Sequence, residues 1–404
     1  MSKYLIERLG HLGDGIAQGP VFAPLTLPGE TVTGDRDGDR LSNVKIVTPS
    51  TDRVSPPCKH FKRCGGCALQ HGSDAFVAEW KANVVKQALI AQGLDAPVRR
   101  IHTSQPMTRR RATFTGRRTK SGAMVGFHAR ASDTVVETPD CQLLLPEIIA
   151  LRPALEKLTV LGASRKGSVA LAVTWSPQGA DVVITNAKPL DDATLSNAIS
   201  LTAEHKIVRL TWNDDTLATH APPTHSFDGI SVAPPPGAFL QATQTGENAL
   251  RQSVAEVTTT AKSIVDLFAG CGTFALPLAR RASIHAVESD DAMLGALDLA
   301  WRNTPNMHKV STEKRDLFRR PLVPLELNKF DAVVIDPPRA GAEAQIKEIA
   351  VSDITTVAMV SCNPTTFARD SAILAASGFT LNWIDVVDQF RWSPHIELAA
   401  SLTR

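Results

Sequence analysis

Four short apolar runs in the last third of the chain constrain its fold most: SIVDLF at 263–268, SIHAVES at 283–289, FDAVVID at 330–336 and TTVAMVS at 355–361. Each ends on polar or acidic residues, and segments of helical character separate them. Runs this short and this apolar read as strands buried on both faces. With helices between them they predict an α/β architecture, a doubly wound parallel sheet. Ligands of such sheets bind beyond the carboxyl ends of the strands. The residues ending these four runs are therefore the ones to examine for function.

At 404 residues the chain is too long for one average core, so two or three domains are expected. Residues 1–54 alternate short β-prone runs with turns (LGDGIAQGPVFAPL, GETVTG, DGDRLSNVKIVTPS), the pattern of a small β-barrel. Residues 55–236 open with a cysteine segment. A helix over 73–92 follows, with Ser73 as N-cap, Gly93 as stop, and Phe76, Trp80, Val84 and Ala88 as its apolar face. From 99 to about 235 the chain reads as β-rich, with strands at Val169–Trp175 and Asp181–Thr185. Pro234-Pro235-Pro236 marks a boundary, and residues 237–404 form the α/β unit.

Apolar runs fall short of the eighteen or so residues of a membrane span. The opening MSKYLIERLGHLGDG carries charges where a signal peptide needs an apolar stretch. The expectation is a cytoplasmic protein whose cysteines serve metal binding or catalysis rather than disulfides. Net charge is only +2, yet Arg99 to Arg130 holds nine Lys/Arg and no Asp or Glu. An unbalanced run on a nearly neutral protein points to a phosphate backbone as partner.

The first run continues as Asp266-Leu-Phe-Ala-Gly-Cys-Gly-Thr273, where Gly270 and Gly272 permit a tight turn and close approach to a ligand. With Ala275 these glycines also satisfy a loose dinucleotide fingerprint, so a nicotinamide enzyme is the rival. Glu288 suits ribose hydroxyls of either ligand. Asp266, Asp316 and Asp336 add carboxylates that would repel a pyrophosphate but suit the sulfonium and ammonium of S-adenosylmethionine. The acidic lining favours the methyl donor.

Asp336-Pro-Pro-Arg339 resembles the Asp-Pro-Pro-aromatic loop of amino-group methyltransferases, but Arg339 replaces the stacking aromatic. Cys362, in Ser361-Cys-Asn-Pro364, offers a different chemistry. Uracil C5 is too weak a nucleophile to attack a methyl sulfonium. A thiolate adding to C6 makes the ring an enolate whose C5 accepts the methyl group, and a base must then remove the C5 proton. Cys271 reads as inert filler. Glu397 in PHIELA is the candidate base, although its spacing alone reads as an exposed surface glutamate. Cys58, Cys64 and Cys67 form C-x5-C-G-G-C, with Cys141 far downstream; four thiolates suit zinc or a [4Fe–4S] cluster.

Together, DLFAGCGTF, VESD, DPPRAG, VSCNPTTFARD and HIELAASLTR resemble the RNA uracil-5-methyltransferase family, in the family's order and over nearly the whole chain. The likeness is greatest to its bacterial 23S ribosomal RNA branch. The resemblance implies a C-terminal class I (Rossmann-like) methyltransferase domain, an N-terminal RNA-binding barrel of the TRAM type (OB-like), and a β-rich central iron–sulfur domain. It implies Cys362 as nucleophile, Glu397 as proton-removing base and Asp336 as a residue holding the target base. Gln241, Phe268, Thr273, Glu288, Asp316 and Asp336 match donor-site positions, although Phe239-Leu-Gln241-Ala-Thr243 lacks the family's usual Asn. Cys58, Cys64, Cys67 and Cys141 match ligands of a [4Fe–4S] cluster, and the helix after them is expected to pack on the C-terminal half. The expected product is 5-methyluridine in 23S rRNA, made by a monomer with no membrane partner. The rivals are C5 methylation of a tRNA uridine or of cytosine in RNA, and a non-catalytic iron–sulfur RNA-binding protein.

Overall fold

The computed structural model describes residues 2–404. Strands Lys3–Leu9, Gly15–Ala17, Val21–Ala23, Thr31–Asp37 and Arg40–Thr48 close into a small barrel around Ile6, Val21, Ala23 and Val32. Closure removes the free edges that so short a sheet would expose.

A seven-stranded sheet follows, ordered Asp215–Thr219, Ile207–Trp212, Gly179–Thr185, Ser168–Ser176, Arg111–Arg118, Ala123–His128 and Val135–Val136. Helices Arg152–Gly162 and Asp192–Glu204 pack on it through Leu155, Leu158, Ala198 and Leu201. The two strands expected at 169–175 and 181–185 are both present, each slightly longer than its apolar run.

The C-terminal sheet has eight strands, ordered Val310–Lys314, Ser283–Glu288, Ser263–Leu267, Ala332–Ile335, Thr356–Ser361, Glu397–Thr403, Thr380–Asp388 and Val98–Thr103. The first five pair in parallel, and all four expected apolar runs are among them. Glu397–Thr403 runs antiparallel to both its neighbours. Two segments assigned by sequence to the central unit instead join this body. Val98–Thr103 is its edge strand, parallel to Thr380–Asp388. The hairpin His225–Phe227/Ile230–Val232 buries Phe227, Ile230 and Val232 against Leu250, Val254 and Ile264. Neither segment carries a local signal for its place, because the pairing of the first and the packing of the second are non-local.

Helix Asp74–Ile90 starts where expected: the Ser73 hydroxyl accepts from the Phe76 N–H at 3.2 Å. Its buried surface is broader than expected, with Trp80 alone of the expected face fully covered. Phe76, Val84 and Ala88 are only partly covered, whereas Val77, Trp80, Lys81, Ala82, Val85 and Leu89 are buried. The helix is wedged between two bodies. Val77 and Trp80 meet Leu9 and Leu27 of the barrel region, and Ala82, Val85 and Leu89 join the C-terminal core. A strict spacing of four also drifts around a helix of 3.6 residues per turn.

Lys81, fully buried, carries the second contact. Its Nζ donates to Asp388 Oδ1 at 2.6 Å, to the His395 carbonyl at 2.8 Å and to the Phe390 carbonyl at 3.3 Å. It thereby ties the helix to the segment leading into Glu397. Removing one partner of a buried pair leaves an uncompensated charge, so Lys81→Met is expected to cost about 3–5 kcal/mol, read as a lower urea midpoint. Among the described residues no helix is long and apolar enough to cross a membrane.

Candidate active site

After the buried strand Ser263–Leu267 the chain turns through left-handed backbone at Phe268 (φ 62°), Gly270 (φ 55°) and Gly272 (φ 90°). A Cβ on Gly272 would lie 2.9 Å from Leu276 Cγ and from Leu297 Cγ, so both conformation and space demand glycine there. Phe268 adopts this geometry despite its side chain, a strained placement of the kind found at ligand sites, and its ring centroid lies 5.4 Å from that of Phe318. Glu288, ending the next strand, is pinned by backbone donors. Its Oε2 accepts from Gly270 N at 3.1 Å, and its Oε1 from Ser289 N at 2.6 Å and Asp290 N at 3.1 Å.

This turn forms one wall of a cavity of about 590 Å³, a size suited to a drug-sized or nucleoside-like ligand. Gln241, Phe268, Thr273, Glu288, Asp316, Asp336, Cys362 and Glu397 all line it. Apart from Asp266, the residues that the sequence suggested for donor binding or reaction therefore face one space, delivered by six separate strand ends and the segment preceding helix Gln244–Val257. Asp266 turns inward, fully buried, with neither carboxylate oxygen hydrogen-bonded, and burial plus the charges of Asp336 and Glu288 hold its carboxyl well above the usual range. The acidic lining is made by Glu288, Asp316 and Asp336.

Glu397 is 3% exposed, not the surface residue that its spacing suggested. Its strand lies between two others in a sheet covered on both faces, so alternate residues all find cover. Burial, then the charge of Asp336, hold its carboxyl well above the usual range; a hydrogen bond from Gln389 and the charge of Arg111 oppose them. Burial likewise raises Asp336. The Cys362 thiol, partly exposed to the cavity, is pushed up to about 11 by burial and by the charges of Glu397 and Asp336, against Arg339. The resting thiol is therefore protonated, and both carboxyls near it are poised to exchange protons close to neutrality.

Cys58, Cys64, Cys67 and Cys141 line a second cavity, of about 950 Å³. The Gly65 N–H donates to the His128 carbonyl at 2.8 Å, and a Cβ there would meet that oxygen at 2.9 Å, so the C-G-G-C turn seats tightly on the central sheet. All six cysteines are free. Among the described residues no group of three or more His, Cys, Asp or Glu is gathered so as to hold a metal ion, so the expected metal centre is not formed as a compact ligand set. Burial raises Cys64 and Cys141 and pushes Cys67 up to about 12. Ala68 N and Leu69 N donate to the Trp392 carbonyl at 2.8 and 2.9 Å, which braces the cysteine segment against the loop before Glu397.

Comparison with known proteins bears on this arrangement directly. The family model described as tRNA (Uracil-5-)-methyltransferase matches residues 235–404. An RNA methyltransferase of Rhizobium meliloti (strain 1021), described as uncharacterized, is 42% identical over 408 residues, covering 99% of this chain and 98% of that protein. The 23S rRNA (uracil(1939)-C(5))-methyltransferase RlmD of Chromohalobacter salexigens is 33% identical over 431 residues, covering 99% of this chain and 88% of that one. The chain belongs to the RNA uracil-5-methyltransferase family. A crystal structure of the Pyrococcus abyssi tRNA (uracil-54, C5)-methyltransferase with S-adenosyl-L-homocysteine superposes with a TM-score of 0.77 at 21% identity over 99% of each chain, and so shares the fold.

The methyltransferase uses its basic segment differently from a continuous RNA-facing surface. Arg99 pairs with Asp385 (Nε–Oδ1 3.0 Å), Arg100 with Glu256 at 2.8 Å, and buried Arg110 with Glu247. Arg111 stacks over Phe239 at 4.4 Å and, by burial and the nearby Arg109 and Arg110, falls to about 10. The outer cations Arg117, Arg118 and Lys120 are exposed and, unlike Arg99 and Arg100, have no acidic partner among the described residues. Strand pairing of Ser168 with Arg117 sets the exposed Arg165 and Lys166 beside them. The acids that neutralise the inner arginines come from distant elements, so no local pattern distinguished the two halves.

Several cavity residues escaped sequence reasoning. Arg109, Phe390 and His395 line the cavity, and Arg339 Nη2 lies 3.2 Å from His395 Nδ1 beside Cys362. The HxE spacing carried a signal for His395; Arg109 was one cation among nine.

Proposed function

We propose that the methyltransferase makes 5-methyluridine in 23S rRNA through a covalent bond between Cys362 and uracil C6. The observation carrying this reading is that Cys362, Asp336 and Glu397 share one cavity with the residues of the strained glycine turn. S-adenosylmethionine, when bound, supplies an electrophilic methyl group. Phe268, Glu288 and Asp316 hold the donor, and Asp336 holds the base. Cys362 releases its thiol proton to solvent reaching the cavity and adds through sulfur to C6, and the C5=C6 pair moves to give an enolate. C5 would take the methyl group as its bond to the donor's sulfonium sulfur breaks, leaving a neutral thioether. Glu397 then takes the C5 proton, the ring double bond returns and the C6–S bond breaks. The 23S rRNA assignment is supported by the activity named for the Chromohalobacter relative.

The test is to map 5-methyluridine in RNA from cells with and without the gene, beside methylation in vitro of 23S rRNA and tRNA transcripts. Loss of one or more 23S sites is expected. Loss confined to tRNA, or appearance of 5-methylcytidine, would overturn the assignment.

We further propose that Cys58, Cys64, Cys67 and Cys141 hold a [4Fe–4S] cluster that braces the fold. Four free thiols line one cavity, burial disfavours the thiolate at Cys64, Cys67 and Cys141 unless a positive charge sits among them, and a cluster spans a wider ligand set than a single ion does. The organisation into 1–54, 55–236 and 237–404 remains our functional division, with 98–103 and 225–232 lent to the last. Iron and sulfide in anaerobically purified protein, lost in Cys67→Ser, is the expected result; zinc instead would refute it.

RNA docking follows from the exposed cations. Single-stranded contacts lower log K against log salt by about 0.7 per phosphate, so replacing Arg117, Arg118 and Lys120 with Gln should reduce the slope by about 2. An unchanged slope would place the RNA elsewhere.

A further inference from the structure

Gln389 is an uncharged side chain, 2% exposed, set between the two halves of the cavity's chemistry. Its Oε1 accepts from Ala242 N at 2.7 Å. Its Nε2 donates to Glu397 Oε2 at 2.9 Å and to Gln241 Oε1. Both amide protons and the carbonyl are thus engaged. Turned over, the amide would set its oxygen against two other oxygens and its NH2 against the Ala242 N–H. The orientation is fixed by all three partners. A second observation shows that the site is built around this side chain. Gly246, in the first turn of helix Gln244–Val257, would carry a Cβ only 2.7 Å from Gln389 Cβ.

We propose that Gln389 is a positioning residue for Glu397, aiming its carboxylate at the target base, favouring its ionised state and holding it in register with Gln241. This rests on the reading of Glu397 as the base given above. An N–H donor to a carboxylate favours the charged form without adding a charge of its own. Charge matters here because the groups facing Glu397 pull in both directions: Asp336 opposes its ionisation and Arg111 favours it, while Cys362, Arg339 and His395 line the same space. The amide tips that balance. By accepting from Gln389, the Gln241 oxygen also leaves its own NH2 to serve the cavity.

The sign of the effect follows. Removing the donor raises the pH at which Glu397 ionises, so proton removal becomes slow at neutral pH and recovers in base. A hydrogen bond to a charged group is worth roughly a ten- to hundredfold shift in such an equilibrium, or about one to two pH units.

The measurement is single-turnover release of methylated RNA from the covalent adduct across pH, with RNA and S-adenosylhomocysteine affinities measured beside it. For Gln389→Leu the release profile should move up by about one to two units, and for the isosteric Gln389→Glu, which also sets a like charge against Glu397, by more. Adduct should accumulate at neutral pH, rates should converge with wild type at high pH, and RNA affinity should hold. Gly246→Ala, which displaces the amide without altering it, should give a smaller shift of the same sign and decides the matter if Gln389→Leu does not fold. An unshifted profile, or a loss equal at every pH, overturns the inference. Glu397→Gln separates the two failures. If it traps no adduct, the reading of Glu397 fails; if it traps adduct while the Gln389 variants keep the wild-type profile, only the role of Gln389 fails.

Discussion

The Cys362→Ala variant is expected to lose methyl transfer by on the order of 10⁶, the scale seen when a covalent nucleophile is deleted. The reason lies in the substrate. Without sulfur at C6, the C5 carbon keeps its ordinary low electron density, and no arrangement of donor and base around it creates a nucleophile. Binding should persist, because Phe268, Glu288 and Asp316 are untouched and the thiol, raised to about 11, carries no charge at rest. Affinity for S-adenosylhomocysteine and RNA near wild type, with no methyl incorporation and no adduct, is the result to look for. Cys362→Ser should behave likewise, since a hydroxyl is harder still to ionise in the same acidic surroundings. Transfer at the native rate by either variant would remove the covalent step from the mechanism.

Much of this site was legible because its residues sit where sequence pattern is strongest. The four buried strands announce themselves as apolar runs, and the chemistry follows each run at once: the glycine turn after Leu267, Glu288, Asp336 and Cys362. A parallel sheet aligns those ends by construction, so linear position converts into a shared cavity. The barrel was legible for a similar reason, its strands being punctuated by local turn signals.

What escaped depended on partners far along the chain. Glu397 reads as exposed when its strand is taken alone, and its burial comes from Thr356–Ser361 and Thr380–Asp388 on either side. Lys81 disrupts the apolar pattern of its helix, yet it is buried because Asp388, 307 residues away, receives it. Arg99 and Arg110 looked free for RNA, and they are neutralised by Asp385 and Glu247. In each case a charge was misplaced because its compensation is long-range, whereas apolar residues carry their destination in local periodicity.

The converse experiment on the base leaves the nucleophile intact. The Glu397→Gln variant is expected to slow turnover by ~10²–10⁴, the usual worth of a general base, and to leave RNA attached to the protein. Sulfur addition and methyl transfer both precede removal of the C5 proton, so they proceed, and the adduct then has no efficient exit. The substituted amide keeps shape and can still accept from Gln389, so Gln241 and Ala242 need not move. Wild-type release should accelerate as pH rises through the elevated range of Glu397, because burial and Asp336 hold the proton on at lower pH. The variant has no carboxyl to ionise, so its slow release should lack that limb. A methylated, covalently bound RNA that survives denaturing electrophoresis distinguishes this block from simple loss of binding. Normal turnover, or a variant that releases RNA with the wild-type pH dependence, would assign proton removal to another group, of which Asp336 is the carboxyl nearest to hand in the same cavity.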